Sequence, residues 1–299
     1  MKSKKAFTLI ELLVVIAIIA LLLSIIIPAL KKVKKQASAV VCLSNMRSMS
    51  ACWHAYAMDN DEKLVNGHVP RQTTFTSDGK SQHFWVEAPQ DKNGVYTGDK
   101  ALSGTKLTVD EEQNGIRRGL LFAYVDSVDA YHCPADNSDK LFADKITWPN
   151  GSWWNSYSIT ALMNGESSKE TALLYDPKST NWDKKAVLKL TEITAPGNKV
   201  VFLENGDWRG WLMGSWMMRP GSSPSWIDPF AIWHGDQSPL GFADGHAENH
   251  KWVDWTTSQN ALFTPGNPQP SGVEYPTPQA NETGDDLAFM SRSYVPGVN

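Results

Sequence analysis

Phe7-Thr8-Leu9-Ile10-Glu11-Leu12-Leu13-Val14-Val15-Ile16 opens an apolar run that continues almost unbroken to Leu30, and Glu11 is the only ionisable side chain within it. As a helix rising about 1.5 Å per residue, the run spans roughly 36 Å, enough to cross a hydrocarbon layer of about 30 Å. It is longer than the apolar region of a secretory signal, which is about 7–15 residues. A small-x-small triplet, Ala37-Ser38-Ala39, lies beyond the run and behind Lys31, Lys32, Lys34 and Lys35, where a signal peptidase would not normally reach. A plain membrane anchor accounts for the length of the run but not for Glu11. A carboxylate in an apolar span costs up to about 2.5–3.5 kcal/mol at its centre and usually marks a function. The lysines do not set the orientation, because Lys2, Lys4, Lys5 and the amino terminus on one side are balanced by four lysines on the other.

Downstream, Pro28 removes one helical hydrogen bond and crowds the carbonyl four residues back, so a kink or a locally melted turn is expected there. Beyond it Val33, Ala37, Val40, Leu43, Met46, Met49, Trp53 and Tyr56 recur every three or four residues. This predicts an amphipathic helix that ends near Asp59-Asn60-Asp61, with Lys34, Lys35, Asn45 and Arg47 on its polar side. The whole rod would measure roughly 75–80 Å. The chain has three cysteines, Cys42, Cys52 and Cys133. On one helix Cys42 and Cys52 are roughly 15 Å apart, too far to be bridged. Any disulfide therefore joins Cys133 to one of the two, and Cys42–Cys133 is the preferred pair for an oxidising envelope compartment.

After residue 60 the helical period fades into short apolar runs separated by Gly, Pro, Asn and Asp. Strands are expected at Phe84–Glu87, Tyr157–Ile159, Lys199–Glu204, Ala231–His234 and Leu240–Ala243, and a helical segment near Gly119–Val125. All thirteen tryptophans lie beyond residue 50. Seven of them, Trp208, Trp211, Trp216, Trp226, Trp233, Trp252 and Trp255, fall close together; they read as core, with a sugar-facing surface as the alternative. Asp244-Gly245 between two strand-like runs predicts a type I′ hairpin, in which both central residues take positive φ.

The stretch Lys4-Lys5-Ala6-Phe7-Thr8-Leu9-Ile10-Glu11-Leu12 resembles the processing motif of type IV prepilins and of the pseudopilins of type II secretion. The resemblance implies that a prepilin peptidase cuts between Ala6 and Phe7 and methylates the new amino group of Phe7. Ala6 departs from the family's usual Gly. The resemblance also implies that Glu11 pairs with that amine in filament assembly and that Pro28 is the helix-bending proline. His234, followed after nine residues by Asp244-Gly245, resembles the C-terminal signature of a large-bodied subgroup, as do Cys42-Leu43-Ser44-Asn45-Met46-Arg47 and Cys133-Pro134.

The fold implied is α+β and pilin-like, with one long N-terminal helix packed on an antiparallel β-sheet that carries large loop insertions. Its expected parts are a leader at 1–6, a helix at 7–58, a soluble β-rich domain at 59–263 and a Pro-rich extended tail at 264–299. Within the helix, 7–30 is the transmembrane and filament-core half and 31–58 the amphipathic half. The family's partners would be the prepilin peptidase, other pilin or pseudopilin subunits, and an inner-membrane assembly platform. The expected location is the bacterial inner membrane, single-pass with the C-terminal domain in the periplasm, and then a periplasmic or cell-surface filament.

Two other functions fit less of the chain: a pilin-anchored surface or glycan-binding module, and an envelope anchor that never polymerises. A net charge of -4 gives no electrostatic basis for nucleic-acid binding. No nucleophile elbow, phosphate loop or zinc-hydrolase helix is found, so no enzymatic activity is expected. His234, Asp236, Asp244, His246 and His250 raise the question of a metal, but His246 and His250, four residues apart on a strand, would be roughly 13 Å apart. Local hydrogen bonding within the hairpin is the reading preferred, and no metal or cofactor is expected. Family analogy adds calcium at an Asp/Asn-rich loop as a candidate.

Overall fold

A computed structural model describes residues 9–67, 84–97, 107–136, 154–164, 186–205, 215–220, 224–226, 228, 230–254 and 284–296. Its dominant element is α1, Leu9–Asp59, a helix of 51 residues. Helical geometry runs unbroken through Pro28, so of the two expectations, a kink or a melted turn, the melted turn is absent. A proline costs a helix one N–H and some room, and the flanking leucines and isoleucines supply enough propensity to continue on both sides.

The helix ends where its backbone changes hand. Asp61 and Glu62 take φ of 55° and 63°, the Glu62 N–H donates to the Ala57 carbonyl at 2.8 Å, and Asn60 Nδ2 donates to the Tyr56 carbonyl at 2.8 Å. These bonds satisfy carbonyls that the last turn leaves open.

Only the C-terminal part of α1 belongs to the body. Cys42, Met46, Met49, Ser50, Trp53 and Ala57 are buried, at the three-and-four spacing of one helix face. Burying Met46, Met49 and Trp53 alone contributes about 1.5–3 kcal/mol each. Val33, Ala37 and Val40, expected on the same docked stripe, are exposed. The helix enters the body at Cys42, so those three side chains extend the apolar rod outside it.

The sheet has the order β3-β1-β2-β6-β7, with β1 at Tyr157–Thr160, β2 at Val200–Glu204, β3 at Ser215–Trp216, β6 at Gln237–Phe242 and β7 at Ala247–Lys251. Pairings β1–β2, β2–β6 and β6–β7 are antiparallel. The β1–β3 pairing is parallel, so the sheet is mixed where an antiparallel one was expected. A separate ribbon pairs β4, Met218–Arg219, with β5, Ser225–Trp226. Of the other expected strands, Phe84 makes a single bridge to Asn66, and 231–234 is irregular.

Both faces of the sheet are covered, which is why every residue of β2 is buried. On one face α1 packs with Trp85, Tyr131, Tyr157, Ile159, Val201 and Phe202. On the other, Val200, Leu203, Leu240 and Phe242 meet Trp216, Trp226, Phe230 and Trp252. That second cluster is closed by a C-terminal helix at Asp285–Tyr294, through Leu287, Met290 and Tyr294. The extended tail expected over 264–299 is thereby corrected at its end, where three apolar residues at positions i, i+3 and i+7 give 285–294 a face to bury. Asp286 fixes the helix start: its carboxylate accepts from the N–H groups of Val253 and Asp254, and the Asp254 carboxylate accepts from the Asp286 N–H.

A further short helix, α2 at Val109–Arg118, lies outside the segments expected from sequence period. The capping box between Thr108 and Glu111 holds its start, and the Thr-x-x-Glu spacing is its sequence signal. The helical segment expected near Gly119–Val125 forms only the four residues Phe122–Val125.

Close approach of α1 to β6 depends on Gly241. A Cβ there would stand 2.1 Å from Ser50 Oγ and 3.1 Å from Met46 Sδ. Gly241→Ala should therefore lower stability by about 1–3 kcal/mol, as overpacking does. Tryptophan-monitored unfolding of the full chain in detergent checks this. Adding Ser50→Ala should recover part of the loss, whereas no recovery would place the strain elsewhere.

Candidate functional site

From Leu9 to Leu30 the large aliphatic side chains of α1 are all exposed, ranging from Val15 at 45% to Leu9 at 79%. A soluble protein would hide such a surface, so this half of the helix needs an apolar environment, lipid or other helices. Glu11 lies in the first described turn, with its side chain outside the body. Ala6 and Phe7 lie outside the described residues.

The docked half is fixed to the body covalently and by polar contacts. A disulfide joins Cys42 to Cys133, with Cα atoms 5.4 Å apart, while Cys52 is free and its thiol contacts the Tyr124 carbonyl at 3.4 Å. One turn beyond Cys42, Asn45 Nδ2 donates to the His132 carbonyl at 3.1 Å. The Cys133 N–H donates to Ser156 Oγ at 3.0 Å, and that hydroxyl donates to Asp136 Oδ2 at 2.6 Å. The loop carrying Cys133 is thus tied to the residues leading into β1.

Against the disulfide lies a buried acid–base pair. His234 Nε2 is 3.1 Å from Glu204 Oε1 and 3.4 Å from Cys133 Sγ. Side-chain exposure is 3% for His234 and 0% for Glu204. Burial pushes the Glu204 carboxyl up to about 7, against the hydrogen bond and charge of His234, which pull it down. In the sequence Glu204 simply ends an apolar strand run, and only the fold brings it to His234.

The remaining candidates disperse. Asp244 and Gly245 sit at the β6–β7 turn, far in role from His234. Only Gly245 takes positive φ, at 92°, and its N–H donates to the Phe242 carbonyl at 3.0 Å while the Phe242 N–H donates to the His246 carbonyl at 2.9 Å. The loop is thus a three-residue turn in place of the two-residue type I′ expected. It asks for a left-handed residue only where glycine stands. Its tip rests on α1, since a Cβ on Gly245 would lie 3.6 Å from Ala51 Cα.

Asp244 bonds His246 locally. Asp236 lies 3.3 Å from Lys251 Nζ, and His250 stacks on Phe289. These five residues therefore do not gather into one metal site. Of the tryptophans read as core, Trp216, Trp226 and Trp252 are buried, and Trp233 is half-buried and packs against the core edge. Trp208, Trp211 and Trp255 lie outside the described residues.

Comparison with known proteins places this geometry. Residues 1–27 match the family model described as the prokaryotic N-terminal methylation motif. The chain is 30% identical over 127 residues to the type IV wide pilus major component PilA4 of Thermus thermophilus, a match covering 36% of this chain and 96% of that protein. The chain belongs to the type IV pilin family. It is also 25% identical over 134 residues to a fimbrial protein of Pseudomonas aeruginosa, covering 39% of this chain and 84% of that one. No solved structure matches. For a type IV pilin-like chain the body is large, and most of it lies outside either alignment. Long helix and mixed, mostly antiparallel sheet nonetheless form the α+β arrangement that the N-terminal stretch implies.

Proposed function

We propose that this chain is a structural, non-enzymatic subunit of a type IV pilus-like or type II secretion pseudopilus filament. The observation that carries the reading is one continuous helix whose first half is apolar and exposed on all sides while one face of its C-terminal part, from Cys42, lies in the body core. A membrane tether needs only the first half. A subunit that must leave the bilayer and pack among identical helices needs the first half held rigidly to a folded domain. In this reading the chain waits in the inner membrane, with its body in the periplasm, until a prepilin peptidase cuts between Ala6 and Phe7. The assembly platform then draws the apolar half of α1 into the filament, where Glu11 meets the Phe7 amine of a neighbouring subunit.

The N-terminal mass of the chain recovered from native membranes tests this. A chain beginning at N-methylated Phe7 is expected. A chain still beginning at Met1, with the peptidase present and active, would leave a membrane anchor and remove the filament mechanism. The burial of Trp216, Trp226 and Trp252 in the core favours this role over a glycan-binding surface.

A further inference from the structure

We infer that the dithiol form of this chain holds a zinc ion between Cys42, Cys133, Glu204 and His234, and that the disulfide and the metal are alternative occupants of one place. One donor atom from each residue, two sulfurs, a carboxylate oxygen and an imidazole nitrogen, lies within 4.8 Å of all the others. They come from four separate parts of the chain: α1, the loop before β1, the end of β2 and the irregular segment before β6. Only the fold brings them together.

The distances suit a four-coordinate ion. With bonds of about 2.0–2.3 Å, neighbouring donors around tetrahedral zinc stand roughly 3.2–3.8 Å apart. The separations of 3.1 Å between His234 and Glu204 and 3.4 Å between His234 and Cys133 lie close to that range. When the sulfurs are bonded to each other the ion has no room. When they are thiols they need only part to roughly 3.8 Å, the edge of such a tetrahedron.

The chemistry also fits. Two thiolates, an imidazole and a carboxylate are ligand types zinc accepts. Glu204 Oε2 is buried with no hydrogen-bond partner among the described residues. A carboxylate at 0% exposure beside a single histidine is costly to keep charged, and a divalent cation would supply the missing charge. Binding needs no electron transfer: Zn²⁺ displaces the two thiol protons to solvent and the thiolates donate to it. This assigns His234 of the His-nine-Asp-Gly signature a role that Asp244 and Gly245, at the hairpin tip, do not share.

The test uses the full chain in detergent, reduced with a phosphine, desalted without oxygen and titrated with Co²⁺ as a visible stand-in for Zn²⁺. One equivalent should bind, with thiolate-to-cobalt charge-transfer absorption and the visible bands of a four-coordinate ion. The oxidised chain should show neither. His234→Ala and Glu204→Gln should each weaken binding at least tenfold, and Cys52→Ser should leave it unchanged. Absence of the charge-transfer band in the reduced chain, or binding unaffected by His234→Ala, would overturn the assignment.

A second measurement needs no variant. Zinc should protect Cys42 and Cys133 of the reduced wild-type chain from alkylation, read by peptide mass, while Cys52 reacts at an unchanged rate. Equal protection of all three cysteines, or of none, would also overturn it.

Discussion

Glu11→Val is expected to abolish incorporation into filaments while the chain inserts in the membrane and folds as before. The predicted loss follows from charge burial. Cleavage before Phe7 would leave a positive amine at the head of an apolar helix, and an uncompensated buried charge costs about 3–5 kcal/mol. At about 1.4 kcal/mol per tenfold, that is a hundredfold or greater loss of assembly competence.

Insertion should not suffer, because removing a carboxylate from an apolar span lowers its cost in lipid. Nor should folding, since Glu11 lies on the exposed half of α1 and the first buried residue of the helix is Cys42, about 46 Å further along at 1.5 Å per residue. The measurement is the ratio of sheared filament to membrane-retained protein, with tryptophan-monitored unfolding as the folding control. Wild-type incorporation by the valine variant would mean that Glu11 pairs only within its own chain or with the lipid interface, and that no inter-subunit pair sets the register.

The second large effect concerns the cross-link. Cys42 and Cys133 are 91 residues apart in sequence, and closing a loop of that length removes about 4.6 kcal/mol of unfolded-state entropy in the chain-entropy treatment. Replacing both by alanine should lower stability by about 3–5 kcal/mol, once strain and residual structure in the unfolded chain reduce the ideal figure. Denaturant unfolding of the oxidised full chain in detergent, followed by tryptophan fluorescence, should show a much lower midpoint. Cys52→Ser should shift it little. A double-alanine variant with a wild-type midpoint would show that the polar contacts of Asn45 and the packing of Met46, Met49 and Trp53 hold the helix without the bond.

What could be read from the sequence was set by local period and local chemistry. The span of α1, its stop near Asp59, the core strands around Tyr157–Ile159 and Lys199–Glu204 and the hairpin at Asp244-Gly245 all rest on patterns of a few residues. The misses have other causes. Val33, Ala37 and Val40 share the helical period of Met46 and Trp53, but period cannot say where a helix leaves its domain. The parallel β1–β3 pairing depends on a partner more than fifty residues away. Burial of both sheet faces needs the helix at Asp285–Tyr294, whose three apolar contacts were masked by the proline-rich stretch before it. At the buried site the sequence marks His234 by its spacing to Asp244, yet its partner is Glu204, a strand-end carboxylate that only tertiary structure reveals.

Cys42 is both the first fully buried residue of α1 and the residue bonded across to Cys133. A pull transmitted along the rigid rod from its membrane end therefore meets a covalent tie before it meets the methionine and tryptophan contacts deeper in the domain. Non-covalent packing under such a pull would have to shear side by side along the sheet. The tie instead passes the tension into the loop held by Ser156 and from there into β1, which pairs with the central strand β2. Peeling of the helix from its own domain is blocked at the point where it would begin.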